Sequence, residues 1–245
     1  MSDLFRPGRI PRGRLLVLCG LDGSGKSTQA ELLAKRLRGE GYDVATVWSR
    51  WEPSLSAPLI RIAKRRISSR PDAATADYTH FTAAKRRTMR SPWKRMLWQL
   101  MVWSEYAVQI NYRLMPHMLR RWGVICDRYV YDTLIDIAIN FSVNPGEIDS
   151  LCAHPLLALF PTPRQVVYID IDPETGAVRK ADGTPAEYLA DRREYYLSMA
   201  RLLGAAIIDG GDTVEGVAEA IWEATGGWRR SLSRGTRGPD GGETR

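Results

Sequence analysis

The stretch Gly20-Leu21-Asp22-Gly23-Ser24-Gly25-Lys26-Ser27 fits the pattern G-x-x-x-x-G-K-[ST], in which a glycine-rich loop holds a polyphosphate. The residues on either side favour the same interpretation. The apolar run 15–19 predicts a buried strand, and apolar residues recur at helical spacing after the loop until Gly39 and Gly41 end the helix. A strand, a glycine loop and a helix in this order predict a phosphate-binding loop. The glycines let backbone N–H groups turn toward the phosphates, and the helix N-terminus favours negative charge.

Two side chains of this loop carry the chemistry expected of it. Lys26 should reach the β- and γ-phosphates of a bound nucleotide, and the Ser27 hydroxyl should be a ligand of Mg²⁺. The loop residues expected to bind the nucleotide are Gly20, Gly23, Ser24, Gly25, Lys26, Ser27 and Thr28. The alternative is a glycine turn with a chance lysine, which leaves the flanking strand and helix unexplained.

The composition bounds the class of protein. A chain of 245 residues with 44% hydrophobic and 26% charged residues can bury a full globular core. The net charge of +7 favours anionic partners, which include nucleotides, phosphosugars, nucleic acid and acidic membrane surfaces. Three cysteines are too few for a disulfide framework, and we find no signal peptide at residues 1–14 and no apolar run of about 18 residues. A cytoplasmic protein is therefore predicted.

The pattern along the chain predicts one domain over 12–225, between a flexible N-terminus over 1–11 and a disordered basic tail over 226–245. Further strands are predicted at 44–48, 124–127, 166–171 and 205–209. Helices are predicted at 93–122, 131–141, 147–160, 186–203 and 214–224. Strands that alternate with helices predict an α/β fold, in which a parallel sheet is covered on both faces. These patterns alone leave the strand order open.

Residues 54–95 form a strongly basic segment between the second strand and the long helix. The segment has two interpretations, a set of solvated helix faces or a binding surface for anions such as nucleic acid. Trp93, Trp98 and Trp103 lie at the end of this segment and in the long helix. We interpret them as core residues rather than as a platform for stacking bases, since such aromatics usually fill cores.

Charged residues follow the predicted strands where ligands bind in open α/β sheets. Asp127 ends the third strand and could hold Mg²⁺ directly or through water, the alternative being a helix cap. Arg50 and Arg128 each follow a strand, where a guanidinium can bind phosphate oxygens with two hydrogen bonds.

Residues 173–193 are predicted to form a lid that closes over the site and excludes water. This segment carries Arg179, Lys180, Arg192 and Arg193. Of these, Arg192 and Arg193 are expected to contact the bound nucleotide. The alternative is a solvated basic face.

Four motifs in this order resemble those of the thymidylate kinase family of P-loop nucleoside monophosphate kinases. They are the loop 20–28, Ser49-Arg50-Trp51-Glu52-Pro53, Val124-Ile125-Cys126-Asp127-Arg128-Tyr129, and Asp172-Pro173-Glu174 followed by Arg179. The second motif resembles the family's Thr-Arg-Glu-Pro segment with a tryptophan added. The resemblance extends from about residue 14 to residue 224.

The resemblance implies a five-stranded sheet of order 2-3-1-4-5, ATP as the phosphoryl donor and Mg²⁺ as the metal. It implies that Asp22 lies near the sugar of the acceptor, and that Arg50 and Arg128 bind the acceptor phosphate. The phosphate-binding loop itself contains no arginine, so a catalytic cation such as Arg179 would come from the lid. dTMP is the leading candidate for the acceptor, and a homodimer is expected from relatives.

The sequence departs from the family at the positions that read the base. Alignment on Pro116 places Tyr106 and Val108 where the family has an arginine and a glutamine. After Asp-Arg-Tyr the chain continues as 130–137, without the family's paired serines and Ala-Tyr-Gln, and the lid is reshaped over 180–185. The residues that handle phosphate are therefore present, whereas residues that read the base are not evident.

These departures leave two alternatives to a nucleotide acceptor. The first is a kinase of the same type acting on a phosphosugar, a lipid-linked group or a nucleic acid 5′ end, which the basic segment would favour. The second is a nucleotide switch or motor ATPase. The sequence has no Asn-Lys-x-Asp motif for guanine, and Arg128 rather than a glutamate follows Asp127, which argues against this second class.

Overall fold

The computed structural model describes residues 14–54, 56–58, 91–153 and 155–232. The described strands form one sheet in which every neighbouring pair is parallel. They are β1 (Leu15–Gly20), β2 (Val44–Trp48), β3 (Gly123–Asp127), β4 (Gln165–Asp170) and β5 (Ala206–Asp209). The order across the sheet is β2-β3-β1-β4-β5, so the order implied by the family resemblance is confirmed.

Helices cover both faces of this sheet. In chain order they are α1 (Lys26–Gly39), α2 (Pro92–Leu119), α3 (Val130–Phe141), α4 (Ile148–Cys152), α5 (Pro173–Lys180), α6 (Ala186–Leu203), α7 (Val214–Ala224) and α8 (Gly226–Arg229). The single helix predicted over 147–160 is wrong. The short α4 and two 3₁₀ turns, Pro145–Glu147 and Pro155–Leu159, take its place because Pro155 cannot continue an α-helix.

The position of β1 in the centre of the sheet explains why polar and apolar residues do not alternate over 15–19. Leu15, Val17 and Cys19 belong to the core cluster beneath α2, α3 and α6. Leu16 and Leu18 belong to the opposite cluster, with residues of α1 and α7. A strand buried on both faces needs apolar side chains at every position, and all six residues of β1 are buried.

The tryptophans of α2 differ in their surroundings. Trp103 is 1% exposed, and its ring lies 5.8 Å from that of Phe160, so its prediction as a core residue is confirmed. The same prediction is wrong for Trp93, which is 60% exposed in the first turn of α2. Trp98 is half-buried and meets Trp51 edge-on at 6.3 Å.

The disordered tail was predicted to begin at Gly226, and for residues 226–232 this prediction is wrong. Residues 226–229 form α8, and Trp228 is 1% exposed in the core cluster shared with α1 and α7. Leu232 also packs against this cluster. Burial of a large indole outweighs the low helix propensity of Gly226 and Gly227.

Several predicted segments fall outside the described residues. These are the flexible N-terminus over 1–11, residues 59–90 of the basic insertion, and 233–245 of the tail. Within the described ranges, no helix combines the length and apolar character needed to span a bilayer.

Candidate active site

The phosphate-binding loop joins the carboxyl end of β1 to the N-terminus of α1. Gly23 has a left-handed backbone with φ of +83°, and an added Cβ would lie 2.3 Å from the Gly176 carbonyl oxygen of α5. Glycine is therefore required at this position on two grounds, its backbone angle and its close contact with α5. Gly25 is the N-cap of α1 with φ of +82°. Ser27 and Thr28 follow on the exposed side of the first turn of α1, and Ser24 is buried.

Lys26 directs its ammonium group into this loop. The Nζ atom donates hydrogen bonds to the Leu21 carbonyl oxygen and to Ser24 Oγ, the latter at 3.3 Å. The side chain is buried, and burial together with the nearby Arg128 lowers the pKa of Lys26. The carboxylates of Asp132 and Asp22 oppose this effect, and the net result is a fall from 10.5 to about 8. Lys26 is therefore a buried cation beside the backbone N–H groups that open α1.

Ser27 and Asp127, the two residues predicted to hold Mg²⁺, are in contact. Leu18 of β1 and Asp127 of β3 are paired in register, so the carboxylate lies next to the loop. Ser27 Oγ donates to Asp127 Oδ2, while Asp127 Oδ1 is buried and has no hydrogen-bond partner among the residues described. A buried carboxylate oxygen with a hydroxyl beside it fits Mg²⁺, which takes one or two protein oxygens and keeps its waters. The described residues contain no group of three metal-ligating side chains, as expected for such a site.

Arg128 lies between two carboxylates at the start of α3. Its backbone has φ of +69°, a left-handed angle that costs about 1–2 kcal/mol for a residue with a Cβ. The backbone N–H donates to the Leu18 carbonyl at 3.0 Å, and the guanidinium pairs with Asp22 and, at 3.2 Å, with Asp132. Burial would raise the pKa of Asp22, but Arg128 and Lys180 outweigh it and hold the pKa well below the usual range. Asp22 is therefore ionised at neutral pH.

Asp136 lies one turn further along α3, and two more arginines approach its carboxylate. Arg192 donates to Asp136 Oδ1, and its guanidinium lies 4.3 Å from the Tyr188 ring centre. Arg50 approaches Asp136 Oδ2 at 3.7 Å. Arg192 Nε is buried and has no hydrogen-bond partner within the described part of the chain. One small pocket is lined by Leu21, Asp22, Arg50, Arg128, Asp132, Asp136, Tyr188, Arg192 and Tyr196.

Lys180, in the segment predicted to form a lid, contacts the loop carboxylate of Asp22. Its Nζ lies 2.8 Å from Asp22 Oδ2 and 3.0 Å from Asp182 Oδ2, and it donates to Thr184 Oγ1. Our sequence analysis placed Lys180 in the basic lid but did not single it out. Its neighbour Arg179, which was singled out, instead donates to the Gly210 carbonyl oxygen at 2.9 Å. The two residues differ by one position on α5, which turns their side chains in different directions.

Arg192 and Arg193 were both expected to contact the nucleotide, and the structure separates them. Arg192 lines the pocket around Asp136, on the side of Arg50 and Arg128. Arg193 donates two hydrogen bonds of 2.8 and 2.7 Å to Asp170 at the end of β4. Arg192 therefore lies on the side of Arg50 and Arg128, and Arg193 lies at the end of β4. A contact between either arginine and the nucleotide stays a prediction.

The positions aligned with the family's base-reading residues do not line this pocket. The buried Tyr106 hydroxyl donates to the Ser49 carbonyl at 2.5 Å, and Val108 is 69% exposed. Glu105 instead accepts from the Ser54 backbone N–H at 2.7 Å, so α2 fixes the loop that carries Arg50. Burial opposes ionisation of Glu105, but hydrogen bonds from Ser56 and Ser54 lower its pKa to about 2.

Sequence reasoning missed the carboxylates on α3 as site residues. Asp132 and Asp136 are four residues apart in α3, which places both on one side of the helix, and Arg128 precedes that helix. Tyr196 of α6 donates to Asp132 Oδ1 at 2.5 Å and so joins α6 to this cluster. The i, i+4 spacing was visible in the sequence, whereas the partners on α6 depend on the packing of two helices.

The sheet order, the loop ahead of α1 and the Asp127-Arg128 pair on the adjacent strand define a P-loop phosphotransferase. The chain is 30% identical over 224 residues to the thymidylate kinase of Ruegeria pomeroyi, covering 86% of this chain and 93% of the relative. It is 28% identical to the thymidylate kinase of Cutibacterium acnes, covering 77% of this chain and 83% of the relative. It is also 28% identical to the thymidylate kinase of a Synechococcus species, covering 84% of this chain and 92% of the relative. No family model matches the chain. At this identity and coverage, the chain belongs to the thymidylate kinase family.

Proposed function

We propose that the protein transfers the γ-phosphoryl group of ATP to a nucleoside monophosphate, with dTMP as the leading acceptor, giving dTDP and ADP. One observation carries the proposal. Asp22 belongs to the same loop as Lys26 and Ser27, and it also lines the pocket with Arg50, Arg128 and Arg192. A donor cradle that faces an arginine-lined acceptor pocket is what phosphoryl transfer between two nucleotides requires.

On the donor side the chain supplies fixed positive charge. The backbone N–H groups before α1 and the Lys26 ammonium bind the β- and γ-phosphates. Ser27 and Asp127 would hold Mg²⁺, which supplies charge neutralisation on the β- and γ-oxygens when bound. These groups are positioned by the loop and by two central strands, so they need little rearrangement during transfer.

On the acceptor side the arginines bind the acceptor phosphate. An oxygen of that phosphate attacks the γ-phosphorus, and the bond from the γ-phosphorus to the bridging oxygen breaks and leaves ADP. Arg128 and Arg50 neutralise the two anions as they approach, and the buried Arg192 Nε offers a further donor. Lys180 is the lid cation placed closest to this path by its contact with Asp22.

The second candidate keeps the reaction and changes the acceptor. It is favoured by Asp136, a carboxylate in the pocket, and by Tyr106 and Val108, which lie away from the pocket. A carboxylate accepts hydrogen bonds only, so it suits an acceptor with hydroxyl or amino donors, such as a phosphosugar. A nucleic acid 5′ end is the other option, through the basic segment 61–95, of which residues 61–90 lie outside the described part.

An acceptor screen tests both candidates. Purified protein with Mg-ATP would be tested for ADP release with the common nucleoside monophosphates, with hexose phosphates and with a 5′-phosphorylated oligonucleotide. A Lys26→Met variant reports background hydrolysis. Turnover with dTMP that depends on Lys26 supports the first proposal. Turnover with a phosphosugar alone supports the second, and no Lys26-dependent turnover with any acceptor contradicts both.

We also propose a homodimer. An apolar patch on the exposed side of α2, formed by Trp93, Met96, Leu97 and Leu100, supports this state because such patches often mark interfaces. Light scattering coupled to size exclusion measures it directly, and a mass near 27.6 kDa at micromolar concentration contradicts the proposal.

A further inference from the structure

A second, larger cavity lies at the end of the sheet opposite the phosphate-binding loop. Its volume is about 700 Å³, within the range of small-molecule sites. Its lining includes Gln165 and Val166 at the start of β4, the end of α6 over 201–204, and Ser150 of α4. Gln165 pairs with Leu16 near the start of β1, whereas the loop follows the other end of that strand. The cavity is therefore separate from the candidate active site.

Tyr131 lines the inner part of this cavity. The residue is 3% exposed, and its ring meets that of Tyr129 edge-on at 5.6 Å. The Tyr131 hydroxyl makes no hydrogen bond to any residue in the described ranges. A phenol hydroxyl without a protein partner can donate to a ligand that enters the cavity. Burial raises the pKa of Tyr131, which keeps the phenol protonated as a donor.

Two arginines lie at the exposed part of the lining. Arg164 precedes β4, and Arg201 lies in the last turn of α6. Neither guanidinium forms an ion pair or hydrogen bond with another side chain that the structure describes. One carboxylate, that of Asp149, also lies on the lining, where it accepts from the Ser150 backbone N–H at 2.8 Å. The exposed rim thus carries two positive charges and one negative charge.

Apolar groups occupy the remaining surface between the rim and Tyr131. Val166, Leu202, Leu203 and Ala153 line this part, and Leu202 is 43% exposed. A small polar ion would leave this apolar surface in contact with water, and an uncharged apolar compound would leave both guanidiniums without a partner. The lining fits a molecule with an apolar or aromatic body and one anionic head group.

We propose that this cavity is a binding site for an amphipathic organic anion, with the phosphate or sulfonate head group on Arg164 and Arg201 and the apolar body against Val166, Leu203 and Tyr131. The Tyr131 hydroxyl donates to a polar atom on that body. The site is independent of the kinase reaction, because none of its residues contributes to the phosphate-binding loop or to the arginine pocket.

The test uses 8-anilinonaphthalene-1-sulfonate, an aromatic sulfonate whose fluorescence rises in an apolar site. It would be titrated into the wild-type protein, an Arg164→Ala/Arg201→Ala double variant, a Tyr131→Phe variant and an Arg230→Ala control. Arg230 is an exposed arginine at the C-terminal end of α8, on the other face of the sheet. Loss of two charge-assisted hydrogen bonds should raise the Kd of the double variant by at least about tenfold. Tyr131→Phe should raise it by about threefold, and the control should match the wild type.

Two further measurements separate this site from the active site. Excess Mg-ATP should leave the probe bound, and the double variant should keep wild-type ADP formation. The proposal is overturned if the wild-type protein gives no fluorescence rise, if Mg-ATP displaces the probe, or if the double variant binds it as tightly as the control. Failure of the acceptor screen would leave this result unaffected.

Discussion

The donor half and the acceptor half of the active site are built in different ways. In the proposed donor half the phosphate contacts would come from the backbone of one loop, supported by Lys26, Ser27 and Asp127 beside two central strands. In the proposed acceptor half they would come from side chains on separate elements, since Arg50 follows β2, Arg128 precedes α3 and Arg192 lies on α6. A site made from a local backbone motif can be recognised in the sequence. A site made from side chains distant in sequence can be recognised only once the packing of the elements is known.

The two halves also differ in how their charges are balanced. Lys26 has hydrogen bonds to a carbonyl and a hydroxyl, and no described carboxylate forms an ion pair with it. In contrast, each acceptor-side arginine faces a carboxylate, with Arg128 on Asp22 and Asp132, and Arg50 and Arg192 on Asp136. An acceptor phosphate must therefore compete with Asp136 for Arg50 and Arg192. A donor phosphate meets no such competition at Lys26, because no described carboxylate is paired with it.

Lys26→Met tests the donor half and carries the largest expected effect. Removal of a buried, preorganised cation on the transferring group should lower kcat on the order of 10²–10³-fold. ADP formation measures this loss. Lys35→Met is the control, because Lys35 is exposed on the same helix. Equal activity of the two variants would show that the loop does not hold the reacting phosphate.

Asp127→Asn tests the metal site of the donor half. It keeps the shape of the side chain and the hydrogen bond from Ser27, but removes the charge that would hold Mg²⁺. The Mg²⁺ concentration for half-maximal activity should rise by about 10–100-fold. Asp43→Asn, ahead of β2, is the control. An unchanged Mg²⁺ requirement would assign Asp127 to helix capping instead.

Lys180→Ala and Arg179→Ala form a matched pair on the lid, where the halves meet. Lys180 contacts Asp22, so its loss should lower kcat by about tenfold or more. Arg179 donates to the Gly210 carbonyl, so its loss should lower kcat by no more than about threefold, with a small loss of stability. Steady-state kinetics with thermal unfolding of both variants separates the effects. The reverse order would restore Arg179 as the lid cation.

Some parts of the fold and of the site could be predicted from the sequence, and others depend on tertiary packing. The family resemblance implied the strand order, and β1 was visible because a doubly covered strand must be apolar throughout. Arg192 and Arg193 are neighbours in sequence, yet one pairs with Asp136 and the other with Asp170. Adjacent helical residues point about 100° apart, so their roles depend on the rotation of α6, which tertiary packing sets.

Helix rotation and tertiary burial also decide features that the sequence does not show. Tyr106 stands where the family has an arginine, yet its hydroxyl donates to the Ser49 carbonyl, and the preceding Glu105 accepts from Ser54 in the loop after Arg50. The direction of each side chain is not evident in a helix with apolar residues on most sides. Trp228 lies in a glycine- and arginine-rich stretch that carries no periodic pattern, so its burial could not be anticipated.

Asp136→Asn sharpens the comparison of charge balance. The amide keeps a hydrogen bond to Arg192 but removes the charge that competes with the acceptor phosphate for Arg50 and Arg192. The KM of the acceptor should therefore fall by about fivefold, with kcat nearly unchanged. The control is Asp191→Asn, because Asp191 is exposed beside Arg192. A higher KM would show instead that Asp136 binds the acceptor directly.

The pH dependence of kcat/KM for ATP gives the smallest expected effect and again concerns the donor half. Burial lowers the pKa of Lys26 from 10.5 to about 8, so its charge is lost as pH rises through 8. Between pH 7 and pH 8.5 the protonated fraction, and with it kcat/KM, should fall by about fourfold.

The titration of Lys26 affects the stability of the fold in the opposite direction to kcat/KM. The folded state binds fewer protons than the unfolded state between about pH 8 and 10.5, so this group makes the free energy of unfolding rise with pH there. A fall in kcat/KM without a parallel fall in melting temperature would assign the limb to Lys26, whereas a flat profile to pH 9 would mean that Lys26 stays charged in the free enzyme.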